Sequence, residues 1–256
     1  MDYYKLNKRL GIGLSDESVE NVADFFHKIS RLNIKLSKEE KALCQSLGID
    51  DHLAAIVKSH KTGEIQQLPS CNEYYKMDFK NTAEGICARY AKQDNEIHRI
   101  IYRNKLKYLK AGCNLFYFST ENYQDLYMAL VKGKTDLDIL KWRKTDGINH
   151  GIDNPALVAK LEEWQQKYDF VLWGCGSDWL QIFFIHEMPQ YDYQLGASNK
   201  KYYEKYKLWE ERTPKFKKFA DEVAEFCPDL ITQVYGSKTK LINGMKAING
   251  VYFWWD

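Results

Sequence analysis

Apolar positions along this chain switch repeatedly between helical and strand-like spacing, so the predicted elements intermix from end to end. Val19, Val22, Ala23 and Phe26 recur at intervals of three and four, which predicts an amphipathic helix over 16–30 capped by Ser15 or Asp16. Ser37-Lys38-Glu39-Glu40 has the form of a capping box and opens a second helix that ends near Gly48. Leu53, Ala55, Ile56 and Val57 predict a strand over 52–59. A turn at Lys61-Thr62-Gly63-Glu64 and a return strand over 65–68 follow. A long helix is expected from about Thr82 to Ala111, capped by Asn81 or Thr82 and ended by Gly112.

Leu115-Phe116-Tyr117-Phe118 reads as a buried strand, after which Ser119 or Thr120 opens a helix through Leu130. A short helix is expected over 136–144. Thr145-Asp146-Gly147-Ile148-Asn149-His150-Gly151 is a polar, glycine-bearing loop. Asn154 at the cap and Pro155 at the first helical position start a helix burying Leu157, Val158, Leu161 and Trp164. Phe170–Trp173 and Trp179–Ile185 read as two strands of a hairpin across Gly174-Cys175-Gly176-Ser177. Thr213-Pro214 opens a helix to Phe226, with Phe216, Phe219, Val223 and Phe226 on one face. Ser237 caps a helix through Ile248, and 251–255 form the final strand. The expected fold class is α+β: a mixed sheet with helices packed mainly on one face, preceded by a helical and hairpin N-terminal region. The expected division is 1–80 and 81–256.

With 256 residues, 45% of them hydrophobic, the chain can bury a sizeable core, and a net charge of +2 imposes no particular partner. The six cysteines form no CxxC pair, which excludes zinc-ribbon and thioredoxin readings. The first residues lack the apolar core of a secretory leader, and no apolar run reaches the length of a membrane span. Cytoplasmic location with reduced thiols is therefore expected, with no membrane partner, no cofactor and no metal site. No serine elbow, HExxH or P-loop is present.

Each candidate for chemistry has a plainer reading beside it. Cys227, in Phe226-Cys227-Pro228-Asp229, can be a nucleophile with Asp229 as partner and His150 or His186 as base. The plainer and favoured reading is a buried residue at a helix end, with Pro228 stopping the helix and Asp229 capping the next turn. Asp146, Asn149 and His150 can bind a polar ligand or exchange protons, or only hydrogen-bond their own loop. Asp178 and Asp256 can join Asp146 around a cation, but nothing local in the spacing supports this. Trp254 and Trp255 should point to opposite faces of the last strand, the outward one serving as a binding anchor.

Two basic stretches suit nucleic acid or a solvated face. One is 98–110, with Arg99, Arg103, Lys105, Lys107 and Lys110. The other is 199–218, where eight basic residues stand against three acidic ones. The second stretch, with Tyr202, Tyr203, Tyr206, Trp209 and Arg212, has the aromatic and arginine content of a protein interface.

Residues 111–256 resemble a bacterial family, number 4253 in the domain-of-unknown-function series. Four places carry the resemblance: the loop 145–151, the passage from Leu161-Glu162-Glu163-Trp164 to Gly174-Cys175-Gly176-Ser177-Asp178-Trp179, the Cys227-Pro228-Asp229 step, and the terminal Tyr252-Phe253-Trp254-Trp255-Asp256. The family's loop differs at Asp146, Ile148 and His150, and 190–212 has the look of an insertion. The resemblance implies no established activity. Together with the aromatic-rich composition and the charged 190–212 stretch, it suggests a protein-binding role of the immunity kind, neutralising a bacterial toxin by direct contact, with Asn149, Asp178, Tyr202, Tyr203, Tyr206, Trp209, Arg212 and Trp255 as expected contact residues. An enzyme or small-ligand site built on loop 145–151 with Cys227 and Asp229 is the alternative. Nucleic-acid binding is the third reading.

Overall fold

The computed structural model describes residues 34–58, 63–72, 75–90, 96–120, 125–133, 135–184 and 216–256. The helix expected over 16–30, His186 and the 190–212 stretch with Tyr202, Tyr203, Tyr206, Trp209 and Arg212 lie outside them. In chain order the elements are α1 (Lys38–Ser46), α2 (Asp51–Val57), β1 (Gln66–Cys71), β2 (Met77–Tyr90), α3 (Glu96–Lys110), β3 (Cys113–Ser119) and β4 (Leu126–Lys132). Then come α4 (Asp138–Arg143), a 3-10 turn (Ile148–His150), α5 (Asn154–Gln165), β5 (Phe170–Cys175), β6 (Trp179–Phe184), α6 (Phe216–Phe226), a π-helix (Leu230–Tyr235), α7 (Lys238–Ala247) and β7 (Gly250–Trp254).

The strands form one seven-stranded sheet in the order β1-β2-β4-β3-β5-β6-β7. Only β3 and β5 run parallel, so the sheet is mixed and the fold is α+β as the spacing implied. The divide expected near residue 80 falls inside β2, which pairs with both β1 and β4.

Strands β3, β5 and β6 are buried along their whole length because both faces of the sheet are covered. Side chains alternate between two cores. On one face Phe116, Phe118, Leu172 and Ile182 meet α4, α5, α6, α7 and the start of the π-helix. On the other, Leu115, Tyr117, Val171 and Phe183 meet α1, α2 and α3. A bulge in β5 breaks the alternation: the register slips between Leu172 and Gly174, which turns Cys175 to the same side as Leu172. Gly174 is required there, since a Cβ would lie 2.3 Å from the Tyr117 ring. Glu222 of α6 ties α5 down, accepting from Trp164 Nε1 at 2.7 Å and from the Tyr168 hydroxyl at 2.9 Å.

Several predicted elements are confirmed. Ser37 and Glu40 make a reciprocal capping box, the 170–184 hairpin is antiparallel, and the Ser237 hydroxyl caps α7. Three are corrected. The strand expected over 52–59 is helix α2, because the Asp50 carboxylate caps the His52 N–H and turns an all-apolar run, ambiguous in period, into a buried helix. The helix expected from Thr82 begins only at Glu96, since 77–90 is a long strand paired on both sides. Gly85 fits there with φ +151°, and a Cβ would meet Val131 Cγ1 at 2.6 Å. The helix expected after Ser119 is strand β4, paired with β3 along seven residues. A smaller correction concerns α5, whose cap is the Asp153 carboxylate rather than Asn154.

Lys105 is a further correction. Its place in the basic stretch of α3 suggested a solvated face, but it is fully buried and donates to Asn114 Oδ1 and to the Leu115 carbonyl. Asn114 Nδ2 in turn donates to the Asp136 carbonyl at 3.1 Å. The Asp136 carboxylate accepts from Gln165 Nε2 at 3.0 Å and from Leu172 N at 2.6 Å. Burial pushes the Lys105 amine down to about 7.

Candidate functional site

Loop 145–151 is held to the sheet by its own backbone and short side chains. The Thr145 hydroxyl donates to the Gly176 carbonyl at 2.7 Å, and the Asp146 N–H to the Ser177 carbonyl at 2.9 Å. Gly147 and Ile152 exchange two backbone bonds and close the loop. Asn154 Nδ2 donates to the Thr145 and Leu140 carbonyls. Gly147 is required because Trp255 lies against it: a Cβ would be 2.9 Å from the indole. Trp255 is buried, stacks on Phe253 and meets Phe226 edge-on. Trp254 is half-buried and packs toward the opposite core, so the two tryptophans split between faces as alternation requires. Trp255 thus supports the loop from beneath.

Asp146 is buried, and its carboxylate accepts from the Ile148 N–H at 3.3 Å. The Tyr75 phenol lies near the same carboxylate, which holds it above its ordinary pKa. Asp146 therefore shapes the loop. Asn149 and His150 are exposed on the 3-10 turn that follows.

The long-range contact of the site joins that turn to the π-helix. His150 Nε2 lies 2.7 Å from Asp229 Oδ2. The same oxygen accepts from the Asp256 N–H at 3.0 Å, and Asp229 Oδ1 accepts from Gln233 Nε2 at 3.2 Å. Burial alone would raise the Asp229 pKa. The Asp256 N–H, the His150 ring and Gln233 outweigh it and hold the carboxyl below its ordinary value. The His150 side chain keeps 27% of its surface open. Chemically, this is an imidazole oriented by a fixed carboxylate and open to water on one side, able to accept or donate one hydrogen bond to an incoming group. Ile148 at 57% exposure and Val234 at 51% lie on the two short helical segments that the pair joins.

Of the sequence candidates, His150, Asp146 and Asp229 therefore belong to one corner, and Cys227 does not share their chemistry. Cys227 is fully buried and its thiol donates to the Trp254 carbonyl at 3.1 Å. Burial pushes it up to about 12, so a thiolate is not populated near neutrality. Asp229 makes no side-chain cap on the π-helix and is used instead by His150 and Asp256. Asp178 contributes its carbonyl to the Trp255 N–H, and its carboxylate accepts from the Ser177 hydroxyl. Among the described residues no group of three or more His, Cys, Asp or Glu could hold a metal ion. Sequence reading missed Tyr75 and Gln233. The four-residue step from Asp229 to Gln233 is a helical pairing that local spacing does contain; Tyr75 has no such signal.

No helix of the described residues is long and apolar enough to cross a membrane. No match was found among curated proteins or solved structures. A family model described as a domain of unknown function, DUF4253, matches residues 127–204 and 205–256, just over half of the chain and including the loop, the His150–Asp229 pair and the terminal tryptophans. The chain belongs to the DUF4253 family.

Proposed function

We propose that this chain is a cytoplasmic protein-binding module of the bacterial immunity kind, which neutralises a toxin by covering it. The contact surface includes the Ile148–His150 turn and the Leu230–Tyr235 helix. The observation that carries this reading is the pairing of His150 with Asp229, which fixes two exposed aliphatic side chains, Ile148 and Val234, on a rigid support. Preformed apolar groups beside an oriented polar pair bind with little ordering cost. The 190–212 stretch, with Tyr202, Tyr203, Tyr206, Trp209 and Arg212, is proposed as a second contact.

The test is a tagged pull-down from the native host at moderate salt, repeated with an Ile148→Asp/Val234→Asp double variant and a 190–212 deletion. The reading predicts one stoichiometric protein that the double variant loses while keeping its thermal transition. Equal capture by a folded double variant would remove this surface, and equal capture by the deletion would remove that segment.

A second reading, a small-ligand or catalytic site, is favoured by the open side of the oriented His150 ring. It predicts that a His150→Asn variant loses a ligand but keeps the protein partner. Nucleic-acid binding has less support, because Lys105 is spent inside the core; an eluate rich in absorbance at 260 nm would favour it.

A further inference from the structure

The six cysteines are not alike. Cys44, Cys87, Cys113, Cys175 and Cys227 are buried, and Cys71 at the end of β1 is half-buried. Burial holds Cys87, Cys175 and Cys227 up to about 12 and Cys44 up to about 11. Cys71, only half-buried, lies in direct contact with a guanidinium whose charge also reaches the fully buried Cys175, where burial outweighs it. Arg143 Nη1 is 3.4 Å from Cys71 Sγ, and also donates to the Tyr75 carbonyl at 2.9 Å. In the thiol form the Cys71 proton points at the Arg143 carbonyl at 3.3 Å, with the Asn72 carbonyl at 3.8 Å.

Arg143 gives this contact its meaning. It is fully buried, and among the described residues its Nε and Nη2 have no hydrogen-bond partner. Among the described residues no carboxylate lies within ion-pair distance of it. A buried cation without a counter-charge is costly, and an anion formed beside it is correspondingly favoured. The nearby charges add to this. The Lys144 ammonium lies at the Asn72 carbonyl, 3.2 Å away, whereas the Asp146 carboxylate accepts from the Ile148 N–H.

We propose that Cys71 is a reactive thiol, paired as the thiolate with the buried Arg143 guanidinium, and that its substrates are small disulfides. Cys71 loses its proton to solvent and its sulfur attacks one sulfur of the disulfide. A new S–S bond forms at Cys71, the old S–S bond breaks, and the other half leaves as a thiolate. The two carbonyls at 3.3 and 3.8 Å favour the protonated form and oppose the guanidinium, so the balance between them sets the reactivity. Modification would also reach the candidate site. Tyr75, at φ +60°, accepts from Arg143 through its carbonyl, and its phenol feels the Asp146 charge, so an adduct that displaces Arg143 disturbs the segment beside loop 145–151.

The experiment uses the full chain and oxidised glutathione. The rate of adduct formation is followed by intact mass across pH 5.5–9.5 (roughly one unit below and above the expected thiol range), with peptide mapping of the site. The expected result is a single adduct on Cys71, absent in Cys71→Ser. Its rate midpoint should lie below that of the same cysteine in the chain unfolded in guanidinium chloride. Arg143→Gln should slow the reaction at neutral pH by about tenfold and move the midpoint up. First modification at another cysteine, or a native midpoint equal to or above the unfolded one, would overturn the proposal. So would an unchanged rate in a folded Arg143→Gln variant. If that variant does not fold, the native-against-unfolded comparison decides alone.

Discussion

Two polar clusters in this fold use similar groups and reach opposite ends. In the core, Lys105, Asn114, Asp136 and Gln165 are all buried, and the Asp136 carboxylate is occupied by a backbone N–H and a side-chain amide. At the rim, Asp229 is equally well occupied, but its partner His150 reaches water. The core cluster satisfies most of the polar groups that meet where α3, β3, β5 and α5 join, leaving Gln165 Oε1 without a partner among the described residues, and all four of its side chains are closed off from solvent. The rim cluster spends its carboxylate on holding an exposed ring in place. Charged residues alone therefore do not mark a site here; the marker is a satisfied carboxylate whose partner still faces solvent.

That contrast predicts an ordered set of effects. Asp136→Ala should cost the most, about 3–5 kcal/mol in urea denaturation, because it strands the Leu172 N–H and the Gln165 amide in the core. Lys105 should make stability depend on pH. Its folded pKa, near 7, lies below the unfolded value of about 10.4. Between these two values the unfolded chain binds a proton that the native state does not. Stability should therefore rise with pH through that window and flatten in Lys105→Met. A wild-type urea midpoint that falls from pH 7 to pH 9.5 in parallel with Lys105→Met would contradict this.

At the rim the effects should be smaller. Asp229→Asn should cost about 1–2 kcal/mol, since a neutral amide replaces the charged acceptor that the Asp256 N–H, Gln233 and His150 share. The Asp229 pKa is depressed on folding, so its contribution is present above the unfolded value of about 3.9. It is lost as pH falls through the folded value. Acid denaturation profiles of wild type and Asp229→Asn should thus converge at low pH. His150→Ala should shift stability least, within about 0.5 kcal/mol by thermal denaturation, because the ring is partly exposed.

The sequence disclosed the two clusters unequally, and the reason is range. Helix ends and buried strands were legible from local chemistry: Ser37 and Glu40, Ser237, and the apolar runs of β3, β5 and β6. The misread segments are those where tertiary packing decides. Residues 82–90 carry enough apolar positions to continue the α3 pattern backward, and only the close approach of Gly85 to Val131 and pairing with β1 and β4 makes them a strand. Leu53–Val57 is apolar at every position, so its period says nothing, and the Asp50 cap settles it. At the site, Asp146, His150 and Asp229 were visible as residue types, but the His150–Asp229 contact spans 79 positions. Cys227 sits two residues from Asp229, yet its thiol turns to β7 and the carboxylate to the loop. Lys105 was hidden for the converse reason: among so many basic neighbours, one buried lysine looks like the rest.

The most direct test of the rim as the working surface is amide hydrogen exchange on the chain alone and in its partner complex. The account predicts slowed exchange on binding in 146–151 and 229–235, with β3, β5 and the 136–140 segment unchanged. A complex whose protection leaves both rim segments untouched would contradict it.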